Sequence, residues 1–175
     1  MKNNFILASL LSAFALIGVA NAQTGSGTLG VTATVQGSIN LTFVTDASGL
    51  AVTGTGTSTA SLPFGNVKMY SGTVPANVTK TIGASSFSLA TPFDVRVDLA
   101  NSASTTFTLT ATLATADSTN TWLIGATDIS DAAGHALTAA GEFGVAVPYT
   151  FKLTVPASAT AGLISNSINF SAVGA

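Results

Sequence analysis

The chain has 175 residues, of which only 7% are charged, and its formal net charge is −2. Its five basic residues are scattered and cannot neutralise a run of phosphates, which argues against nucleic acids and anionic membranes as partners. There is no cysteine and one histidine, so no disulfide holds the fold together and a structural zinc site is not expected.

The chain begins with a segment typical of a secretory signal peptide. Lys2 precedes an apolar run over residues 5–19, which closes on Ala20-Asn21-Ala22, the small-x-small pattern that signal peptidase accepts. The run is roughly fifteen residues long, shorter than the ~20 that span a bilayer. We therefore predict a cleaved signal peptide over 1–22 and a mature domain over 23–175. Such a protein is expected in the periplasm, at the cell surface or outside the cell, with no membrane span after cleavage.

The mature chain opens with an alternating run. Leu29, Val31, Ala33 and Val35 share one face, and the residues between them are polar or glycine. Gly37 interrupts this pattern, as glycine does at a bulge or a bend between sheets. The alternation then resumes with Ile39, Leu41 and Phe43. Residues 23–37 therefore have the pattern of a β-strand.

Alternation with a period of two continues along the chain, and no segment after residue 22 has convincing helical periodicity. The clearest strands are predicted over residues 93–99, 107–113 and 145–155, with shorter ones near 61–67, 86–90, 121–124 and 164–172. Pro148 lacks an amide donor, so its strand starts there or lies at an edge there. Roughly eight to ten short strands with regular turn signals predict one all-β domain. An immunoglobulin-like antiparallel β-sandwich is the expected architecture, and a barrel is the alternative.

Loops are predicted where glycine, proline and small polar residues cluster. They fall at residues 53–59, 71–77, 116–120 and 128–134. The first of them, Thr-Gly-Thr-Gly-Thr-Ser-Thr, is low in complexity and is expected to be mobile.

Few residues are suited to catalysis, which needs ionisable groups that converge. His135 lies in an acidic loop with Asp128 and Asp131, whose carboxylates are candidate calcium ligands, although their spacing matches no EF-hand. The simpler interpretation of this loop is a solvated turn. Trp122 is expected in the core, with a sugar-binding face as the alternative. No Gly-x-Ser-x-Gly elbow occurs, so we expect neither an enzyme nor a cofactor.

Three stretches resemble a known bacterial family. The run Thr28–Gly37 is similar to the start of the spore coat U-type pilin domains of archaic chaperone–usher fimbriae. The end of the chain, from Tyr149-Thr-Phe-Lys-Leu-Thr-Val-Pro156 onwards, looks like their last hairpin, and Leu62-Pro63-Phe64-Gly65-Asn66-Val67 resembles their Phe-Gly strand motif. The resemblance implies a sandwich that lacks one strand, with a groove filled by a neighbour's N-terminal extension. The donor residues would then be Leu29, Val31, Ala33 and Val35.

Two functions remain open from the sequence. The first is a secreted structural or adhesive surface protein, a fimbrial-type subunit that assembles by donor-strand addition. Its partners would be other copies of the chain, or a periplasmic chaperone, at an edge strand. The second is a monomeric extracellular sandwich that binds carbohydrate or calcium through the loops at 53–59 or 128–135. In that case residues 23–37 form the first strand of the chain's own sandwich.

Overall fold

The computed structural model describes residues 29–175. The predicted signal peptide and the first residues of the predicted mature chain lie outside this range. All strands of the described residues lie in one compact unit, Val35–Ala175. In the described part of the chain, no helix is long and apolar enough to cross a membrane.

Within residues 29–175, nine strands form two antiparallel sheets that pack as a sandwich. In chain order they are β1 (Ser38–Val44), β2 (Thr79–Ile82), β3 (Ser86–Ala100), β4 (Phe107–Leu113), β5 (Thr121–Ile124), β6 (Thr127–Asp128), β7 (His135–Gly141), β8 (Ala146–Pro156) and β9 (Ile168–Gly174). The all-β sandwich is therefore confirmed, and the alternative of a barrel is wrong because the sheets stay separate.

The larger sheet has the order β1-β3-β8-β5-β6. The long strand β3 pairs with β8 along one edge, and its other edge is shared by β2 near the start and β1 near the end. The smaller sheet has the order β7-β4-β9. Its central strand β4 pairs with β9 in an unbroken register, whereas its pairing with β7 contains register shifts.

The core lies between β3 and β8 on one side and β4 on the other. Val97, Leu109, Leu113, Ile124 and Ile129 are almost completely buried. Their alternation along each strand places apolar side chains inside and leaves Thr, Ser and Asn on the outer faces. Because Thr is β-branched, it suits a pleated solvent face, which lets this chain cover its sheets with few charged residues.

The alternating pattern located most strands well. The predicted strands over 107–113 and 121–124 agree with β4 and β5, and those over 86–90 and 93–99 are parts of the continuous β3. The strand predicted near 61–67 is wrong, because only Ser61 takes part there, in an isolated bridge to Thr53. The pattern did not delimit β2 and β7, which are short or rich in alanine. Residues 29–37 belong to no strand.

Candidate functional site

One open side of the sandwich lies between the edge strands β1 and β9. We call it the β1/β9 seam. It contains a groove of about 330 Å³, lined by Ile39, Asn40, Leu41, Phe43, Ser58, Ile168, Asn169 and Phe170. No charged residue of the described chain lines this groove. A groove with this uncharged lining suits an uncharged polypeptide better than a charged ligand.

Among the described residues, no strand pairs with the backbone of β9 along this seam. The amide of Ala175 donates to the carbonyl of Thr106 at 2.9 Å, and the carbonyl of Ser167 accepts from Ala114 at 2.7 Å. Both residues therefore direct their backbone groups toward β4. Because hydrogen bonding alternates along an antiparallel strand, the even-numbered residues between them direct theirs away from β4. These residues are Ile168, Phe170, Ala172 and Gly174, and no second strand within residues 29–175 bonds them.

The facing edge of β1 is partly occupied. Phe43 donates its amide to the carbonyl of Thr57 at 2.9 Å, and its carbonyl accepts from the amide of Gly56 at 2.6 Å. Phe43 thus points its backbone into the seam, and by the same alternation Leu41 and Ile39 do so as well. Among the described residues, the backbone groups of Leu41 and Ile39 have no partner on this side.

The floor of the seam is aromatic. The ring of Phe170 lies edge-on to that of Phe43, with centroids 5.1 Å apart, and edge-on to that of Phe93 at 6.0 Å. Phe43 and Phe170 are only partly buried, whereas Phe93 belongs to the buried core. Offset and edge-on aromatic pairs of this kind add to the stabilisation from burial. The core therefore extends to the seam and ends there with apolar surface still in contact with solvent.

The four donor-strand candidates are exposed. Leu29, Val31 and Val35 expose 88%, 81% and 70% of their surface, and Ala33 is also exposed. Large apolar side chains are rarely left so open in a run, and a contiguous exposed apolar stripe commonly marks an interaction site. The structure thus leaves the apolar face of residues 29–35 free to bind.

The opposite open side lies between β7 and the first half of β8. This β7/β8 seam contains a groove of about 440 Å³, lined by Phe107, Leu137, Thr138, Ala140, Gly141, Glu142, Val145, Val147 and Tyr149. The carbonyl of Thr150 accepts from Gly125 at 2.7 Å, so by alternation Pro148 and Ala146 also face this side. Pro148 has no amide hydrogen to offer, which agrees with the predicted edge position of this residue.

The calcium candidates are engaged within their own loop. An oxygen of Asp128 accepts from the hydroxyl of Ser130 at 2.6 Å, and an oxygen of Asp131 lies 2.7 Å from Nε2 of His135. The hydrogen bonds from Ser130 lower the pKa of Asp128, and the hydrogen bond to His135, followed by one from Ala133, lowers that of Asp131. Within residues 29–175, no group of three or more His, Cys, Asp or Glu residues could hold a metal ion.

Trp122 is a core residue, as expected, and the alternative of a sugar-binding face is wrong. It is only 6% exposed, and its Nε1 donates to Asp117 at 2.8 Å. Partial burial opposes ionisation of Asp117, but hydrogen bonds from Asn120, Trp122 and Thr119 outweigh it and lower its pKa to about 2. Sequence reasoning placed Asp117 in a loop and missed this role, although the partners Thr119, Asn120 and Trp122 all lie within five residues of it.

Two of the remaining carboxylates, those of Asp46 and Asp94, interact with each other, and a third, that of Asp98, forms an ion pair. Nε of Arg96 donates to Oδ1 of Asp98 at 2.9 Å on the exposed face of β3. Partial burial raises the pKa of Asp94, and the nearby charge of Asp46 raises it further. Asp46 itself is bonded by Ser48, which lowers its pKa. Asp46 and Asp98 each have a partner outside this group, in Ser48 and Arg96, whereas the buried Oδ1 of Asp94 has no hydrogen-bond partner among the described residues.

Sequence reasoning identified the exposed run but not the seam. The alternation shows which side chains of β9 point inward, yet it cannot show that the strand lacks a second neighbour. Comparisons with protein-family models, curated protein sequences and solved structures find no match for this chain. The assignment of function therefore depends on the geometry of the seams.

Proposed function

We propose that this chain is a secreted structural or adhesive surface subunit that assembles by strand addition. In this proposal, residues 29–35 of one copy add as a strand at the β1/β9 seam of the next copy. The observation that carries the proposal is the unpaired edge of β9 above an apolar floor, in a chain that also exposes a matching apolar run.

The exposed apolar run and the open strand β9 match in length and in the period of their alternation. The run from Leu29 to Val35 and the strand β9 each cover seven residues. An added strand would hydrogen-bond to the inward-facing residues of β9, and its alternate side chains would enter the groove. Burying Leu29, Val31 and Val35 stabilises the contact by about 1–3 kcal/mol for each side chain, and Ala33 contributes less.

The other face of the added strand also fits. Thr32 and Thr34 would lie on the solvent side, next to the Asn169 and Ser171 of β9. They would continue the uncharged, Thr-rich outer surface of the smaller sheet. The strand would therefore bury apolar residues without bringing an unpaired charge into the interface.

The resemblance to spore coat U-type pilin domains supports the same conclusion from the sequence. In such a domain, an immunoglobulin-like sandwich lacks one strand, and a periplasmic chaperone covers the open edge until a neighbour replaces it. The predicted signal peptide provides the export that this route requires. We include an immunoglobulin-like fold, a fimbrial role and a periplasmic chaperone in the proposal on this basis.

The first experiment compares the exported chain with a form that lacks residues 23–37. Mass in solution and the melting temperature are measured for both. We expect the intact chain to form oligomers and the truncated chain to stay monomeric, and added peptide 29–37 should raise the melting temperature of the truncated chain. If the intact chain stays monomeric and the peptide has no effect, the proposal is wrong.

A matched pair of substitutions tests the face of the donor strand. Val31→Asp places a charge on the face that would enter the groove, whereas Thr32→Asp places the same charge on the solvent face. We expect the first variant to lose assembly and the second to keep it, because an unpaired buried charge is far more costly than an exposed one. Equal effects of the two variants would exclude insertion of this face.

A further inference from the structure

Strand addition at the β1/β9 seam leaves one quantity open, namely the register. A slip by one residue turns the apolar face of the strand outward and is strongly disfavoured. A slip by two residues keeps Leu29, Val31, Ala33 and Val35 on the inner face, and only the smaller Ala33 distinguishes such registers by side-chain size. Alternation alone therefore does not select one register, and another feature of the acceptor must do so.

A short hairpin stands at one end of the seam. Thr53 and Ser61 exchange backbone hydrogen bonds of 3.0 and 2.9 Å, and the chain between them folds back on itself. We call residues 53–61 the arm. The arm includes the loop predicted at residues 53–59, and backbone hydrogen bonds join its ends and connect its tip to Phe43.

Hydrogen bonds within the arm fix its tip. The hydroxyl of Thr57 lies 2.8 Å from the carbonyl oxygen of Gly54 and 2.7 Å from that of Thr59. Gly54 adopts a φ of +86°, and a Cβ there would lie 2.4 Å from the Thr59 carbonyl, so only glycine fits at this turn. The repeated glycines and threonines therefore form a specific hydrogen-bonded turn.

The tip of the arm occupies the seam itself. Gly56 and Thr57 bind both backbone groups of Phe43, which would otherwise be open to an added strand. The neighbouring Ser58 lines the groove together with Ile168 and Phe170 of β9. A strand that slides two residues further toward this end must break the bonds at Phe43, whereas a strand that stops short of the arm keeps them.

We propose that the arm is a register stop, whose Gly56 and Thr57 position the strand that a second copy adds to β9. This inference rests on the proposed function. It makes residues 53–61 part of the interface between subunits, as positioning residues that limit how far the donor strand enters. Without the arm, strand addition still occurs, but registers that differ by two residues become similar in free energy.

The test uses the absence of native cysteines. One exported chain carries Thr32→Cys, and three others carry Asn169→Cys, Ser171→Cys or Val173→Cys, all on exposed outer positions. These β9 residues bond toward β4, so they form the close, non-hydrogen-bonded pairs with an added strand that suit a disulfide. Mixed pairs are oxidised, and the yield of cross-linked heterodimer is measured for each position.

The same scan is repeated on two altered acceptors. In the first, residues 54–60 are replaced by Asn-Gly, which keeps the Thr53–Ser61 pair as a two-residue hairpin and removes the tip. In the second, Thr57→Ala removes the hydroxyl that fixes the tip. Thr59→Ala is its matched control, because the Thr59 hydroxyl makes no hydrogen bond with the described residues.

We expect one β9 position to dominate in the native acceptor by about tenfold, a ratio that corresponds to about 1.4 kcal/mol. The Asn-Gly acceptor should spread the yield over neighbouring positions, Thr57→Ala should do so partly, and Thr59→Ala should not. A single dominant position in every acceptor would overturn the register stop and leave strand addition intact. Absence of any cross-linked heterodimer would overturn both.

Discussion

The two open sides of the sandwich differ in how their edges are protected. Natural edge strands are commonly protected from further pairing by proline, bulges or charged side chains. The β7/β8 seam has all three, with Pro148 in β8, register shifts beside β7, and Glu142 in its lining. The β1/β9 seam has none of them along β9, whose pairing with β4 is regular from Ile168 to Gly174.

This difference favours the β1/β9 seam as the acceptor in the proposed assembly. An unprotected, apolar edge is a liability in a monomer, because any extended chain can pair with it. A protein that protects one of two similar grooves and leaves the other open has the arrangement expected of a subunit with one acceptor site. Substitutions that add protection to one seam or remove it from the other test this contrast.

The largest effect is expected from adding a proline to the open edge. Ala172→Pro removes an amide that points into the β1/β9 seam and is not used in the pairing with β4. We expect assembly to be lost, while the free energy of unfolding changes by about 1 kcal/mol or less, as for most edge substitutions. Mass in solution measures the first quantity, and urea unfolding of the isolated subunit measures the second.

Ala172→Thr is the control for this variant, because threonine is similar in volume to proline but keeps the backbone amide hydrogen. It should assemble as the native chain does. If Ala172→Pro assembled normally, the edge of β9 would not be the acceptor. The difference in edge protection would then not identify the acceptor seam.

A smaller effect concerns the polar cluster near the protected side. Asp117 accepts from Trp122 and Asn120, and its own amide donates to the carbonyl of Ser130 at 2.9 Å, which ties the turn to the chain after β6. The pKa of Asp117 is lowered from the ordinary value of 3.8 to about 2. At pH values above 3.8, the ionised carboxylate therefore stabilises the fold by about 2 kcal/mol. This contribution is lost as the pH falls from about 4 through 2.

Asp117→Asn tests this contribution, since an amide nitrogen then faces the donors of Trp122 or Asn120. We expect it to lower the free energy of unfolding by about 2 kcal/mol at pH 7 and by much less near pH 2. Asp98→Asn is the control, because the exposed pair with Arg96 contributes about 0–1 kcal/mol. A loss for Asp117→Asn that stayed constant with pH would show that packing, and not the charge, is responsible.

The sequence predicted the strands whose position follows from the alternation of apolar residues. It failed for features that depend on which segments are neighbours in space. Alternation through Phe107, Leu109 and Ala111 located β4, and the missing amide of Pro148 predicted an edge. The same rule suggested a strand for residues 61–67, where the apolar side chains of Leu62 and Phe64 pack on the core without strand pairing. It also suggested mobility for residues 53–59, because the bonds that the arm makes to Phe43 join segments far apart in the chain.

The open seam illustrates the limit best. Ile168, Phe170 and Ala172 have the same pattern as the inward residues of β4, and nothing in that pattern tells an edge strand from a central one. The exposed run at Leu29 was recognisable, since it has a strand's period. Its use as a donor follows only once an unpaired edge is known.

The smallest effect is expected from removing the proline that protects the other side. Pro148→Ala restores an amide on the open edge of β8, but the register shifts beside β7 and the carboxylate of Glu142 remain. We expect unchanged assembly and a free energy of unfolding lowered by about 0.4–1 kcal/mol, because alanine leaves the unfolded chain more freedom. The sharper measurement uses this variant in a chain that lacks residues 23–37 and so has no donor strand. If that chain associates, Pro148 alone protects the second seam, and the two sides of the sandwich differ by a single missing hydrogen-bond donor.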